Sequence, residues 1–250
     1  MKKFRKVLAL TLCAAALVGA SVMGTMAYLT DNDEVTNTFT VGNVDITLNE
    51  AKVDVNGKKI TGDRVQANSY KLLPGGEYDK DPTVTVEDGS EDAYVRMLVT
   101  VSDIDALKEA FGADYVADDV FLLEKLVDWD STTWVSTAPV KTVTTGEGEN
   151  SVMSATYEFR YAGNDTENKG YLDISGATDA NTAIGGFQLP ALFTTITIPG
   201  EGLTNTEIAK LQDVQITVTA EAIQAAGFED ATKAWTAFDK EMEPASANNA

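Results

Sequence analysis

Apolar and polar residues alternate with a period of two along much of the chain, the pattern of a half-buried β-strand. The alternation is clear in residues 38–41, 44–48, 83–86 and 152–161. Residues 93–101 are almost continuously apolar, which predicts a strand at the centre of a sheet. Shorter strands are predicted at residues 133–136, 140–144, 171–174, 193–198 and 214–222.

Turn residues separate these strands. Asn56-Gly57 lies between short apolar stretches and is a strong hairpin signal, because both residues tolerate a positive φ. Residues 73–76, Leu-Pro-Gly-Gly, predict a second turn, since proline presets its own φ and glycine is permissive. Pro82 is expected at the start of a strand and Pro139 between two strands.

Four segments have helical rather than strand periodicity. Residues 103–111 have apolar side chains at helical spacing behind Asp103, which can cap the helix. Residues 119–127 predict a second short helix, and residues 204–211 a third with Thr204 or Asn205 as N-cap. The last, residues 229–240, is amphipathic and acidic.

This order of elements favours an all-β fold. Many short strands with frequent turns, and helices confined to connections, predict an antiparallel β-sandwich with short helical insertions. No regular β-α-β alternation is present to suggest a parallel sheet. Among the antiparallel sandwiches, a jelly roll is preferred because it accepts helices between its strands.

The N-terminus has the pattern of a secretory signal, residues 1–27. An apolar stretch at residues 7–26 follows a basic start, and the small–x–small pattern at residues 25–27 predicts cleavage between Ala27 and Tyr28. No stable membrane anchor is expected after cleavage. The alternative is an uncleaved anchor, because the apolar stretch is long enough to span a bilayer.

Charge excludes some partners. The chain has 19 Lys and Arg against 39 Asp and Glu, a net charge of −20. Nucleic acid and anionic lipid surfaces are therefore not expected as partners, because both require a basic surface.

The residue types present exclude much catalytic chemistry. The chain has no histidine, and its single cysteine, Cys13, lies in the predicted signal. A Ser-His-Asp triad, a histidine zinc site and a thiolate nucleophile are therefore excluded. A carboxylate-based hydrolase stays possible, but with so many acids no pair stands out. We therefore predict no catalytic residue and no cofactor.

Metal and sugar sites are weakly indicated at most. Calcium prefers oxygen ligands, but none of the acidic clusters has the spacing of an EF-hand, and solvated loop acids are the favoured interpretation. These clusters are Asp31, Asp33 and Glu34; Asp79 and Asp81; and Asp118 and Asp119. No metal site is predicted. The three tryptophans, which could stack on a sugar, are expected in the core or at its rim: Trp129, Trp134 and Trp235.

Several motifs resemble the TasA/camelysin (CalY) family. The likeness begins at residues 27–31, Ala-Tyr-Leu-Thr-Asp, and continues at residues 37–46, Asn-Thr-Phe-Thr-Val-Gly-Asn-Val-Asp-Ile. It includes the turn at residues 73–76, residues 80–86 and residues 91–96, and it is looser at residues 214–226. Residues 103–186 show no visible match.

The resemblance implies a secreted jelly-roll protein of Gram-positive bacteria, released by a signal peptidase of the SipW type. It also implies a fibre-forming component of the biofilm matrix at the cell surface, working as a homopolymer, with an accessory matrix protein as a further possible partner. The domain plan is then a signal, an N-terminal extension at residues 28–36, a jelly roll at residues 37–240 and a tail at residues 241–250.

The extension explains an otherwise puzzling stretch. Residues 28–35 are extended in character, and the sequence shows no strand partner for them. In fibres of the family, this segment of one subunit completes a sheet of the next, with Tyr28, Leu29 and Val35 as the expected anchors. The alternatives are pairing within its own domain, a monomeric surface-binding module, or a camelysin-like protease, which the missing histidines disfavour.

Overall fold

The structure is a computed structural model that describes residues 30–33, 44–112, 122–146, 151–174, 186–200 and 203–242. The predicted signal, the strand predicted at residues 38–41 and the end of the chain after Met242 lie outside these ranges.

Strands dominate the described residues. They are β1 (Thr30–Asp33), β2 (Ile46–Val53), β3 (Lys59–Val65), β4 (Glu77–Asp79), β5 (Thr83–Glu87), β6 (Ala93–Val101), β7 (Trp134–Thr145), β8 (Val152–Tyr161), β9 (Gly186–Gln188), β10 (Thr195–Thr197) and β11 (Ile216–Gln224). The helices are α1 (Ile104–Phe111), α2 (Leu122–Leu126), α3 (Asn205–Ala209) and α4 (Ala231–Met242).

The strands form three antiparallel sheets. The largest has the order β1-β11-β6-β8-β7, the second β3-β2-β5-β9, and β10 pairs with β4 in a two-stranded sheet. The prediction of an all-β, antiparallel fold with short helices is confirmed. The jelly-roll arrangement stays a prediction.

The main core lies between the two larger sheets. Ile46, Val84 and Val86 from the smaller one share a cluster with Met97 and Val99 of β6. β6 is the middle strand of the five, and seven of its nine side chains are buried, as its apolar sequence predicts. The sandwich therefore holds together through apolar packing, without a disulfide in the described residues, which contain no cysteine.

Two helix starts follow local sequence chemistry. The carboxylate of Asp103 accepts a hydrogen bond from the N–H of Ala106 at 2.9 Å, as the predicted cap requires. At α3, Thr204 and Glu207 form a reciprocal capping box. Both N-cap predictions are confirmed because they depend on contacts three residues apart.

Two strand predictions are wrong in detail. Residues 133–136 and 140–144 form one strand, β7, which accommodates Pro139 through a register shift between Thr137 and Lys141. Residues 171–174 form no strand; Leu172 makes only an isolated bridge to Ala93. Both errors arise because the pairing partner, rather than the local pattern, decides where a strand ends.

The Asn56-Gly57 hairpin is confirmed. β2 and β3 pair antiparallel across it, and the N–H of Asp54 donates to the carbonyl of Lys58 at 2.8 Å. Gly57 has φ +73°, and a Cβ placed there would lie 2.4 Å from Cδ1 of Tyr78. This turn therefore needs glycine for its backbone conformation and for the space that the Tyr78 ring occupies.

Gly57→Ala is expected to lower the free energy of unfolding by about 2–4 kcal/mol, since left-handed strain adds to a steric clash. Gly62→Ala is the matched control, because Gly62 has φ +98° and nothing within 4 Å of the added Cβ. Gly62→Ala should lower the free energy of unfolding only by the backbone strain of a positive φ, about 1–2 kcal/mol. Urea denaturation measures both variants, and equal losses would show that Tyr78 is not the reason for the glycine.

Candidate assembly edge

β11 is the second strand of the five-stranded sheet and alternates between two environments. Ala220 and Ala222 belong to the main core, whereas Glu221 and Ile223 lie on the opposite face. On one side β11 pairs with β6 along its whole length, from Ile216↔Val101 to Gln224↔Ala93. On its other side it pairs with the edge strand β1.

β1 is a strand of four residues from the leading segment. It runs antiparallel to β11 in the register Thr30↔Ile223, Asp31↔Ala222, Asn32↔Glu221 and Asp33↔Ala220. Within one molecule, therefore, part of the leading segment does have a partner. The expectation that the segment is unpaired in its own chain is wrong for these four residues, because β11 offers a free row of backbone groups to the nearest strand.

All of the residues predicted for cleavage and for anchoring the leading segment lie outside the described residues. These are the cleavage site residues Ala27 and Tyr28 and the anchors Leu29 and Val35. Their role in polymerisation stays a prediction. The structure shows that residues 30–33 of the same segment pair with β11.

The C-terminal helix α4 packs on one face of the five-stranded sheet, against β6 and β11. Trp235 and Phe238 pack with Tyr94 of β6 and Ile223 of β11 in a second, smaller cluster, separate from the main core. The helix therefore packs against β11 and stabilises it. The helix ends at Met242, two residues after the predicted end of the domain at residue 240.

A buried arginine links the helix to the strand. Arg96 of β6 is 2% exposed, and its Nε donates to a carboxylate oxygen of Glu221 at 2.6 Å. It also pairs with Asp239 of α4 and lies 3.5 Å from Glu158 of β8. Its guanidinium stacks 4.3 Å from the centre of the Trp235 ring.

Burial and charge act against each other in this cluster. Burial raises the pKa of Glu221, and the guanidinium of Arg96 offsets this only in part. Burial opposes the charge of Arg96, but the hydrogen bond to Asp239 and the charges of Glu221 and Glu158 raise its pKa. Sequence analysis missed the cluster, although one acid in Ala-Glu-Ala-Ile and one arginine in an apolar strand were visible signals.

The acids considered for calcium have other partners or lie outside the described residues. Asp79 accepts from the backbone N–H of Lys59 at 2.8 Å, and this bond together with Lys58 lowers its pKa. Asp81 pairs with Lys59 and Arg64. The side chains of Asp31 and Asp33 are not described, and Glu34, Asp118 and Asp119 lie outside the described ranges.

The tryptophans do not form a sugar-stacking face in the described structure. Trp134 and Trp235 are at most 1% exposed, and Trp129 is half-buried against Phe159 with ring centres 5.2 Å apart. The prediction that they belong to the core or its rim is confirmed. None of the helices described is both long and apolar enough to cross a membrane.

Comparison with known proteins finds a match to a family model in the N-terminal third of the chain. Residues 3–89 match the family model described as camelysin metallo-endopeptidase. No curated protein and no solved structure matches this chain.

The description of the matched family implies a metal ion bound by the protein. The described residues contain no group of three or more His, Cys, Asp or Glu side chains that could hold a metal ion. The full sequence also lacks histidine, the usual ligand of catalytic zinc. The described residues therefore do not fit a metallopeptidase centre. The resemblance itself is confirmed: residues 3–89 match the camelysin family model.

Proposed function

We propose that this chain is a secreted structural protein that forms fibres in a biofilm matrix, and that it is not a protease. In the fibre, the leading segment of one subunit takes the place beside β11 that β1 occupies in the single molecule. The supporting observation is the position of β1, an edge strand of four residues against a β11 of nine.

Exchange of this strand between subunits conserves its hydrogen bonds. β1 pairs through backbone groups, so the same segment from a neighbouring copy can form the same ladder. The contact is head-to-tail, so it need not close on itself and can extend into a filament. Continued in the same register, the segment would bring Val35 opposite Val218, which lengthens the ladder along β11.

Secretion and processing complete the proposal. Release by a signal peptidase of the SipW type after Ala27 would free the leading segment only outside the cell. Until cleavage, the apolar signal would remain attached to the strand. The extracellular matrix and the cell surface are the proposed locations, with an accessory matrix protein as an optional partner.

A disulfide lock tests strand exchange. Asp31 and Ala222 are paired across the ladder, where Cα atoms lie about 4.5–5.5 Å apart, within disulfide range. In a mature chain starting at Tyr28, which has no native cysteine, the double variant Asp31→Cys/Ala222→Cys should be monomeric when oxidised. It should form fibres by electron microscopy after reduction, because only the reduced segment can leave its own β11.

The control is Thr144→Cys/Met153→Cys, which links paired residues of β7 and β8. These strands are not exchanged in the proposal, so the oxidised control should still assemble. Fibres of equal yield from the oxidised Asp31/Ala222 variant would refute exchange. A wild-type mature chain that stays monomeric at high concentration would instead favour the surface-binding module.

A further inference from the structure

A buried lysine, a buried glutamate and a half-buried asparagine meet at one edge of the smaller sandwich sheet. Glu50 lies on β2 and is 4% exposed, and Lys80 lies just before β5 and is 9% exposed. Asn68 follows β3 and is half-buried. The Nζ of Lys80 donates to one oxygen of Glu50, and Nδ2 of Asn68 donates to the other at 3.0 Å.

The carboxamide of Asn68 is held by backbone groups of β2. Its Oδ1 accepts from the N–H of Val53 at 3.0 Å, and its Nδ2 also donates to the carbonyl of Ala51 at 2.8 Å. The amide is therefore fixed in orientation, and its carbonyl oxygen is polarised by a backbone donor. A donor in this position stabilises an oxyanion that forms on the same oxygen.

We propose that Lys80 and Asn68 form an intramolecular isopeptide bond, with Glu50 as the catalytic residue. The assignment rests on one carboxylate that contacts both the amine and the amide. Holding two reacting groups on one rigid site removes most of the entropic cost of their meeting. Neither the fibre proposal nor the family match is needed for this inference.

The reaction needs no external reagent. Glu50 accepts a proton from the Lys80 ammonium, and the free amine attacks Cγ of Asn68. The new C–N bond gives a tetrahedral intermediate whose oxyanion accepts from the N–H of Val53. Glu50 returns the proton to Nδ2, the bond from Cγ to Nδ2 breaks, and ammonia leaves. The new amide nitrogen then loses its extra proton, which the departing ammonia takes up as ammonium. Lysine ammonium and amide thus become a secondary amide and an ammonium ion.

Tyr70 lies close to Glu50 and Asn68. Its ring meets that of Tyr78 edge to face, with centres 5.9 Å apart, and its hydroxyl donates to the carbonyl of Asp79 at 3.0 Å. Burial, reinforced by the charge of Glu50, raises the pKa of Tyr70, so the phenol stays protonated and neutral.

Neighbouring lysines lack this arrangement. Lys58 and Lys59 are about half-exposed at their side chains, and they pair with Glu77, Asp79 or Asp81. None of their recorded hydrogen bonds shares a carboxylate with an asparagine amide. Lys59 therefore provides a matched control for Lys80.

Intact-mass spectrometry of the folded mature chain tests the bond. Wild type is expected to be lighter than its sequence mass by one ammonia, about 17 Da, and tandem spectra should show the peptides of Asn68 and Lys80 joined. Glu50→Gln, Asn68→Ala and Lys80→Arg should each restore the full mass, whereas Lys59→Arg should keep the loss. Glu50→Gln is the sharpest variant, because both reacting groups remain.

A second control excludes another source of ammonia. Asn56-Gly57 could lose the same mass by forming a succinimide, so Asn56→Ala must retain the loss if it arises at Asn68. Full mass in folded wild type would overturn the proposal. A mass loss that survives Asn68→Ala, or that lacks the joined peptide, would overturn it equally.

Discussion

A mature chain that lacks residues 28–35 is expected to stay monomeric under conditions in which the chain starting at Tyr28 forms fibres. The deletion removes β1, whose pairing with β11 is the proposed link between subunits. Loss of fibres should be complete, because a head-to-tail filament cannot extend past a subunit without its donor strand. Sedimentation and electron microscopy of both chains measure the effect.

The truncated domain should still fold. The deleted strand is at the edge of its sheet, and β11 keeps its pairing with β6 and its packing against α4. Circular dichroism and urea denaturation should therefore show a cooperative domain. A synthetic peptide of residues 28–37 should bind this domain in the free place beside β11, and a peptide with the same composition in scrambled order should bind more weakly. Fibres from the truncated chain would refute the proposed link.

Arg96→Ala is expected to cause a large loss of stability. Arg96 is the cation that contacts Glu221 and Glu158, both largely buried, and Asp239. Removing one partner of a buried pair leaves charges uncompensated, a cost of about 3–5 kcal/mol. Urea denaturation at neutral pH measures it.

The stability lost in Arg96→Ala should become smaller as the pH falls. Burial already raises the pKa of Glu221 in the folded chain, and loss of the Arg96 charge raises it further. A carboxyl with a raised folded pKa binds more protons when folded, so the variant should gain stability as pH falls from neutral toward the unfolded value of about 4.3. The difference between variant and wild type should therefore shrink in mild acid.

Arg160→Ala is the matched control for Arg96. Arg160 lies opposite Arg96 on β8. Its side chain is 24% exposed, and it forms an ion pair with Glu158. A more exposed ion pair contributes about 0–1 kcal/mol to the free energy of unfolding. Similar losses for the two arginines, or a loss for Arg96→Ala that does not change with pH, would contradict the role assigned to the cluster.

Local patterns predicted local structure well. The Asn56-Gly57 hairpin, the Asp103 cap and the Thr204 capping box all depend on residues a few positions apart, and all three form. The apolar run at residues 93–101 correctly predicted the middle strand. Each of these features depends on residues within its own segment, so the sequence alone was enough to predict it.

Features that depend on distant residues were missed. Arg96 and Glu221 are separated by 125 positions, and Glu50 lies 18 and 30 positions from Asn68 and Lys80. Nothing in the local sequence of any of these residues indicates which distant residue it contacts. Only the antiparallel registers of β6 with β11 and of β2 with its neighbours bring these side chains together.

The sequence by itself determined the β-rich class, the turns, the helix caps and the exclusion of histidine and thiolate chemistry, because periodicity and residue type act locally. The tertiary structure decided that part of the leading segment pairs with β11, that Arg96 meets Glu221, and that Glu50 meets Lys80 and Asn68. Strand order and register set those neighbours, and both follow from burying the whole set of apolar faces together rather than from any one segment.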